Sequence, residues 1–168
     1  MKFSTRARYA TRIMLELCLQ EQAGTPLAMA QVAKNTSISK PYLDQLAMGL
    51  RRSALLRARS GRQGGFMLAR PAAGISVRDI VEAAIGPLNI TECVRNPGVC
   101  PRADFCACRP LWVEVNNAIV AVLEKYSLED LANRERRRQS GKAGTPRLPQ
   151  PETKSRAVRR TRRARAET

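Results

Sequence analysis

The spacing of apolar residues predicts helices over the first third of the chain. In residues 3–22 large apolar side chains recur every three or four positions: Tyr9, Ile13, Met14, Leu17 and Cys18. This period is that of an amphipathic helix, and Gly24 followed by Pro26 predicts its end. Residues 31–34 continue as a short helix, and the polar residues 35–37 predict a break before the next one.

The helix after this break has an inward face and a basic end. Its apolar positions share one side of a helix: Tyr42, Leu43, Leu46 and Leu50. Ser39 is placed to cap its start, and Arg51 and Arg52 lie at its end. Two helices around a tight turn predict a helix-turn-helix, although plain helical hairpins with basic ends share this pattern.

An alternating segment follows and predicts a β-hairpin. In "LLRARSGRQGGFMLARP", Leu55 and Leu56 precede a glycine-rich turn over residues 61–65, after which "FMLAR" alternates as a strand does. Arg59 and Arg62 lie near the tip, where they could reach phosphate or a minor groove. The order helix, helix, helix, basic hairpin favours a winged helix over an unrelated bundle.

A long amphipathic helix is predicted further along. After a short helix over residues 76–85, Pro110 suits a first helical turn and opens the segment "PLWVEVNNAIVAVLEKYSLEDLA". One stripe holds its large apolar residues: Leu111, Val115, Ile119, Val122 and Tyr126. The stripe must be buried, either in the core of one chain or in the seam of a homodimer. We expect the seam, because winged-helix proteins commonly use two copies to span two DNA half-sites.

Charge points to a polyanionic partner. The chain of 168 residues carries 30 Lys and Arg against 14 Asp and Glu and no histidine, a formal net charge of +16. Nucleic acid is the first candidate for a partner of such a chain, and the predicted winged helix makes double-stranded DNA the expected one. Residues 134–168 hold 13 of the basic residues and three acids with almost no large apolar side chains. They predict a disordered basic tail, either without a role or attracted to phosphate.

Several function classes are not expected. Charged residues interrupt the apolar positions of the N-terminus: Arg6, Arg8, Arg12 and Glu16. We therefore expect neither a signal peptide nor a membrane span, no membrane partner, and a cytoplasmic protein. The sequence shows no paired nucleophile and base, no phosphate loop and no carboxylate pair in a suitable context, so we expect no enzyme and no catalytic residue.

Four of the five cysteines fall within sixteen positions: Cys93, Cys100, Cys106 and Cys108. In a reducing cytoplasm clustered thiols more often bind metal or sense redox state than form disulfides. Thiolates hold iron–sulfur clusters, and four of them could also hold zinc, although "CAC" is not the usual C-x-x-C knuckle. Cys18 falls on the apolar face of the first helix and is expected to be a small buried side chain.

These segments together resemble the Rrf2 family of winged-helix transcriptional regulators, the IscR/NsrR-like group. The resemblance spans about residues 1–133 and is carried by "MKFSTRARYATRIMLEL", "AQVAKNTSISKPYLDQLAMGLRRSALL", "SGRQGGFMLAR" and the cysteine stretch running into "RPLW". It implies a mainly α fold with a winged helix-turn-helix DNA-binding domain over residues 1–90 and a small β-hairpin wing. A cysteine-rich metal or cluster loop over 91–109 and a dimerisation helix over 110–133 follow, before the tail over 134–168.

The resemblance also implies a ligand set. Family members that carry an iron–sulfur cluster hold it with three cysteines before the dimerisation helix, spaced much as Cys93, Cys100 and Cys106 are here. Some relatives add a histidine where this chain has Arg109, and others an N-terminal carboxylate where it has Arg8. A guanidinium has no lone pair for iron. The replacements that the sequence offers are Cys108, Glu92 and Asp104, besides an open position or an exogenous ligand.

DNA reading is implied at the start of the second helix of the motif. The matching positions are Ser39, Lys40, Pro41, Tyr42, Asp44 and Gln45. Gln45 could pair with an adenine edge, and Asp44 could accept from a cytosine amine unless it is a first-turn acid favoured by the helix dipole. Tyr42 is expected to be half core and half phosphate contact.

We therefore expect a homodimeric, DNA-binding transcriptional repressor. Its operator affinity is expected to be controlled by an iron–sulfur cluster, 2Fe-2S or 4Fe-4S, that senses iron, nitric oxide or redox state. The alternative is a cluster-free regulator or interaction module with a thiol switch or a structural zinc site. Anaerobic purification distinguishes the two, because a cluster protein is brown and loses its visible absorption in air.

Overall fold

Helix α1 (Thr5–Gln20) lies at the centre of the core in the computed structural model, which describes residues 4–20, 25–61 and 64–141. The predicted stripe of α1 faces inward, with these residues buried: Ile13, Met14, Leu17 and Cys18. Tyr9 is half-buried at the edge of the same core. The other core helices and the hairpin pack around α1. Cys18 is thus a core residue, as predicted.

Helices α2 (Met29–Thr36) and α3 (Lys40–Arg52) form the predicted helix-turn-helix. Helix α2 continues through part of the polar segment that predicted a break. Its Asn35 side chain accepts from Gln31 at 2.8 Å and donates to Glu16 at 3.1 Å, so the polar groups are bonded without ending the helix. The chain turns instead at Ser37, whose φ of 58° is left-handed.

Strands β1 (Leu56–Arg59) and β2 (Gly65–Leu68) pair antiparallel as the predicted hairpin. The backbone of Leu27, just before α2, joins this hairpin through hydrogen bonds of 3.0 and 2.9 Å with Phe66. Glycine is required beside that contact, because a Cβ atom at Gly65 would lie 2.7 Å from the carbonyl group of Leu27. The wing is therefore fixed to the helix-turn-helix through β2, close to the turn of the hairpin.

Helix α4 (Val77–Ile85) completes the winged head, which comprises α1 to α4 and the hairpin. It begins with a capping box in which Ser76 and Asp79 each bond the other's backbone N–H, at 3.0 and 3.1 Å. Helix α4 packs against α1 and α3. The contact with α3 is close at Gly49, where a Cβ atom would lie 3.1 Å from the carbonyl oxygen of Ala83.

The cysteine loop (residues 91–109) is built from short turns. It contains the one-turn helix α5 (Glu92–Arg95) and two 3-10 turns, Pro97–Val99 and Ala103–Phe105. The loop leads into helix α6 (Arg109–Lys125), which packs against α4 and α5. Four of the five cysteines therefore lie between the winged head and the start of α6.

The single helix predicted over residues 110–133 is wrong. Helix α6 ends at Lys125, and helix α7 (Leu128–Gln139) begins after Ser127. Ser127 and Asp130 form a second capping box, with backbone N–H bonds of 2.9 and 3.1 Å, so a new helix starts here.

The predicted tail begins too early, because helix α7 includes its first residues. The helix runs past residue 134 to Gln139, packs against α1, and buries Leu128 and Ala132 in the core. Residues 142–168 lie outside the described residues, so disorder of the tail stays a prediction for them. Within the described ranges no helix is long and apolar enough to cross a membrane.

The starts of α4 and α7 are joined through the backbone. The N–H of Val77 donates to the carbonyl oxygen of Tyr126 at 2.9 Å, and the N–H of Leu128 donates to that of Ile75 at 2.8 Å. These bonds tie the C-terminal end of α6 to the winged head.

Candidate functional site

The outward face of α3 is a continuous stripe opposite its buried leucines. At about 100° per residue, four positions fall within about 60° of one another. They are Pro41, Gln45, Met48 and Arg52, and all four are exposed. We name them the reading stripe. Because the buried face holds α3 to the core, this stripe is the part of α3 available to a major groove.

An ion pair lies on one flank of the reading stripe. Lys40 Nζ is 2.7 Å from Asp44 Oδ2, and both side chains are partly exposed. Asp44 lies in the second turn of α3, so its interpretation as a first-turn acid is wrong. Lys40 bonds one carboxylate oxygen, and the other can accept a further hydrogen bond.

Tyr42 and Ser39 differ in how far the structure bears out their predicted roles. The Tyr42 ring packs edge-to-face on Tyr9, with centroids 5.8 Å apart and an interplanar angle of 84°. This agrees with a half-core role, and its phosphate contact stays a prediction. Ser39 occupies the N-cap position of α3 but makes no side-chain cap bond, contrary to prediction. Pro41, the second residue of α3, has no N–H to donate to such a cap.

The predicted basic residues on α3 and the wing are exposed where the structure describes them. Arg51 and Arg52 lie in the last turn of α3, and Arg59 ends β1. Arg57 lies two residues before Arg59 on the same face of the hairpin and is also exposed. Arg57 was not predicted from the sequence, although the alternation of the strand contained the signal. Arg62 lies outside the described residues.

Met48 is the residue of the reading stripe that was not predicted from the sequence. Its side chain is 51% exposed, and together with Arg51 and Arg52 it lines an open cavity of about 390 Å³. The helical period contained the signal, because Met48 follows Gln45 by three positions and therefore shares its face.

The four clustered cysteines lie on different turns of the cysteine loop. Cys93 is in α5, Cys100 follows the first 3-10 turn, and Cys106 follows the second. Cys108 immediately precedes α6. The first three thiols are half-buried, whereas Cys108 is exposed.

Backbone N–H groups at the start of α6 stabilise one thiolate. The N–H of Cys108, and after it that of Arg109, lowers the pKa of the Cys106 thiol below its ordinary value, and the charge of Arg102 adds to this. Arg109 occupies the position where the resemblance placed a histidine ligand. Its Nε donates to the carbonyl oxygen of Cys93 at 3.1 Å, so it holds the first turn of the cysteine loop against α6.

The donor chemistry of this loop fits an iron–sulfur cluster, because three half-buried thiols precede one helix and thiolates are the ligands of such clusters. In residues 4–20, 25–61 and 64–141, however, no three Cys, Asp or Glu side chains come together as a metal site. Glu92 and Asp104, the other candidate ligands, are exposed. Gathering the thiols around one cluster requires the turns of the loop to move.

Helix α6 buries a polar residue on its inner side. Asn116 is 9% exposed, and its Oδ1 accepts from the N–H of Ile90 at 3.1 Å. An ion pair of 3.2 Å between Arg78 and Glu124 links α6 to α4 of the winged head. The inner face of α6 is therefore fixed partly by polar contacts.

The outer side of α6 is apolar and uncovered within the chain. Leu111 and Val122 are 53% and 56% exposed. Four positions fall within about 60° on this side: Leu111, Val115, Ala118 and Val122. We name them the seam stripe. Of the predicted stripe, Ile119 is half-buried and Tyr126 lies beyond α6.

Comparison with known proteins places these features in a family. The family model of Rrf2, described as an iron-dependent transcriptional regulator, matches residues 3–134. The HTH-type transcriptional regulator IscR of Photorhabdus laumondii is 32% identical over 133 residues, which are 79% of this chain and 80% of the relative.

Two solved structures agree with this match. The structure of CymR, the global cysteine regulator of B. subtilis, has a TM-score of 0.66 at 30% identity and covers 80% of this chain and 98% of its own. T. potens IscR has a TM-score of 0.67 at 27% identity and covers 86% and 93%. These similarities confirm the predicted winged-helix fold.

Proposed function

Because this chain belongs to the Rrf2 family of transcriptional regulators, which are DNA-binding proteins and not enzymes, we propose that it is a homodimeric repressor controlled by an iron–sulfur cluster. It acts in the cytoplasm, where the thiols of its loop stay reduced. The observation that carries the proposal is the order of three surfaces along the chain. The reading stripe, the cysteine loop and the seam stripe follow one another. The cysteine loop thus connects the proposed DNA-binding surface to the proposed dimer interface, where a change in its structure can affect both.

The reading stripe supports entry of α3 into a major groove. Gln45 can pair with an adenine edge, and the free oxygen of Asp44 can accept from a cytosine amine. Positive residues around the stripe suit the phosphates on either side. The proposed DNA contacts are Ser39, Lys40, Pro41, Tyr42, Asp44, Gln45, Arg51, Arg52, Arg59 and Arg62.

The cysteine loop supports the cluster. Cys93, Cys100 and Cys106 would hold it, with Cys108 as the fourth ligand because no histidine is present and Arg109 is bonded to the backbone. The lowered pKa of Cys106 favours the thiolate that iron requires. A bound cluster, 2Fe-2S or 4Fe-4S, would supply sensitivity to iron, nitric oxide or oxidation.

The seam stripe supports a second copy of the chain as the partner of α6. Leu111, Ala118 and Val122 are exposed in the single chain and Val115 is half-buried, whereas a helix of this kind normally buries such a stripe. Two copies joined along α6 present two reading stripes, which an inverted repeat can accept about 34 Å apart or at a multiple of that distance.

A cluster-free thiol switch is the second candidate. It is favoured by the absence of a three-ligand group in the described part of the chain and by the similarity to CymR, a cysteine regulator. In this case Cys106, whose thiolate is stabilised, is the reactive thiol.

Purification without oxygen tests the cluster. We expect a brown protein with iron and sulfide, and loss of the visible absorption in Cys93→Ala, Cys100→Ala and Cys106→Ala variants that remain folded dimers. Cys18→Ala is the matched control, because Cys18 lies in the core. A colourless wild type, with or without zinc, or a Cys93→Ala protein with the full spectrum, would contradict the proposed site.

Operator affinity tests the control. Affinity for the cluster-loaded and cluster-free dimers is measured at one salt concentration. A coupling of about 1–3 kcal/mol predicts a difference of roughly 5- to 150-fold. Equal affinities would leave the cysteines a structural role and remove the sensor.

A further inference from the structure

Met48 is unusual among the side chains of the winged head. Among the described residues of α1, α2, α3 and the hairpin, it is the only exposed large apolar side chain. Isolated apolar residues on a surface need no explanation by themselves. This one, however, lies inside the reading stripe, with the polar residues Gln45 and Arg52 on either side along the helix.

The backbone that carries Met48 is held firmly. Leu46, Ala47 and Leu50 are buried around it, with exposed fractions of 2% or less. Gly49 packs closely on α4, where no Cβ atom fits without displacement. The side chain therefore projects from a fixed position, whereas its thioether can adapt its shape to a surface.

A major groove offers one apolar group to such a side chain. Its base edges present hydrogen-bond donors and acceptors, together with the C5-methyl group of thymine. The neighbours of Met48 in its cavity, Arg51 and Arg52, have guanidinium groups suited to phosphate or guanine. Met48 supplies a wholly apolar side chain beside these cationic groups.

We infer that Met48 is a specificity-determining residue that reads a thymine methyl group in the operator. This inference rests on the proposed binding of α3 in a major groove. Met48 follows Gln45 by roughly 4.5 Å along the helix axis, and base pairs are about 3.4 Å apart. The thymine therefore lies within one or two base pairs of the pair that Gln45 contacts.

Substitution of thymine by deoxyuridine tests the contact, because it removes the methyl group alone. The full chain first selects binding sites from a pool of random duplexes. Each thymine of a selected site is then replaced in turn. Loss of one buried methyl group predicts that wild-type affinity falls about fourfold at one thymine in each half-site.

Variants assign the effect to the side chain. We expect Met48→Ala to bind the thymine duplex about as weakly as wild type binds the uracil duplex, and to be indifferent to the replacement. Met48→Leu should retain the methyl sensitivity. Ile85→Ala is the matched control, because it removes another exposed apolar side chain, 42% exposed, at the end of α4.

Two results would overturn the inference. Either wild type is insensitive to every uracil, or Met48→Ala keeps the full sensitivity at the same thymine. In both cases the regulator still selects its site, so the proposed function stands. A chain that selects no sequence from the pool would contradict the proposed function and the inference together.

Discussion

Tyr42 lies on α3 at the edge of the core, next to the reading stripe. Its ring packs edge-to-face on Tyr9 and so joins α3 to α1. The hydroxyl group is a separate part of the same side chain and is the proposed phosphate donor. Packing and DNA contact can therefore be separated by two substitutions.

The Tyr42→Phe variant keeps the ring pair, so its free energy of unfolding should lie within about 0.5 kcal/mol of the wild-type value. Its DNA affinity should fall by roughly 10- to 150-fold, because the lost hydrogen bond is one to a charged phosphate group. The Tyr42→Leu variant should lose about 1 kcal/mol of stability as well, because the ring pair is gone. Urea unfolding and DNA-binding anisotropy measure the two effects. Wild-type affinity in Tyr42→Phe would contradict the phosphate contact.

Among the helices, α7 has a start that is fixed by the capping box of Ser127 and Asp130. The backbone N–H and then the hydroxyl of Ser127 lower the pKa of Asp130 below its ordinary 3.8. A carboxyl group with a lowered pKa in the folded state stabilises that state above its ordinary pKa, and this contribution is lost as the pH falls through the lowered value.

We therefore expect the thermal stability advantage of wild type over Asp130→Asn to be full near neutral pH and to shrink below pH 3.8. Melting curves followed by circular dichroism measure it. Glu129→Gln is the control, because it removes a neighbouring exposed carboxylate that is not part of the cap. An advantage independent of pH would show that the charge of Asp130 does not stabilise α7.

The seam stripe of α6 makes a prediction about assembly. The Leu111→Glu/Val122→Glu variant places two charges on an apolar seam and should be monomeric by light scattering, with its α-helical content retained. Affinity for an inverted repeat should fall at least tenfold. Asn117→Glu is the control on another side of α6. A dimeric double variant would show that the seam lies elsewhere.

The parts of the fold with a clear helical period were predictable, because burial follows that period in α1 and α3. Burial does not alternate in the hairpin, where only Leu56 and Leu68 are buried, so its prediction depended on the glycine-rich turn. The boundary between α6 and α7 had a signal as well. Ser127 and Asp130 repeat the spacing of Ser76 and Asp79, but the apolar stripe running on to Tyr126 favours one continuous helix. The hydrogen bond between Arg109 and Cys93 has no local signal, since it joins two turns through tertiary packing.

For the whole molecule, the charge of the tail is separable from recognition. Residues 142–168 carry nine Lys and Arg and two acids. Deleting them should weaken binding to all DNA and reduce the slope of log affinity against log salt, by about 0.9 for each phosphate that the tail had neutralised. Preference for the operator over random DNA should persist. The deletion starts at residue 142 because α7 belongs to the core.

The matched control is a full-length chain in which the nine Lys and Arg residues of 142–168 are changed to Gln. It should behave as the deletion does, because charge and not length carries the effect. Loss of operator preference in both proteins would show that the tail takes part in recognition.

Helix α6 joins the cysteine loop at one end to the winged head at the other. The backbone bonds beside Tyr126 fix its far end to the winged head, and Arg109 attaches its near end to the cysteine loop. Its 17 residues give an arm of about 25 Å. A displacement of about 2 Å at the loop swings such an arm through roughly 5°. In the proposed dimer, two arms joined along their length would convert that swing into a change in the angle between the two heads, so a small local event would become a misfit against the pitch of DNA.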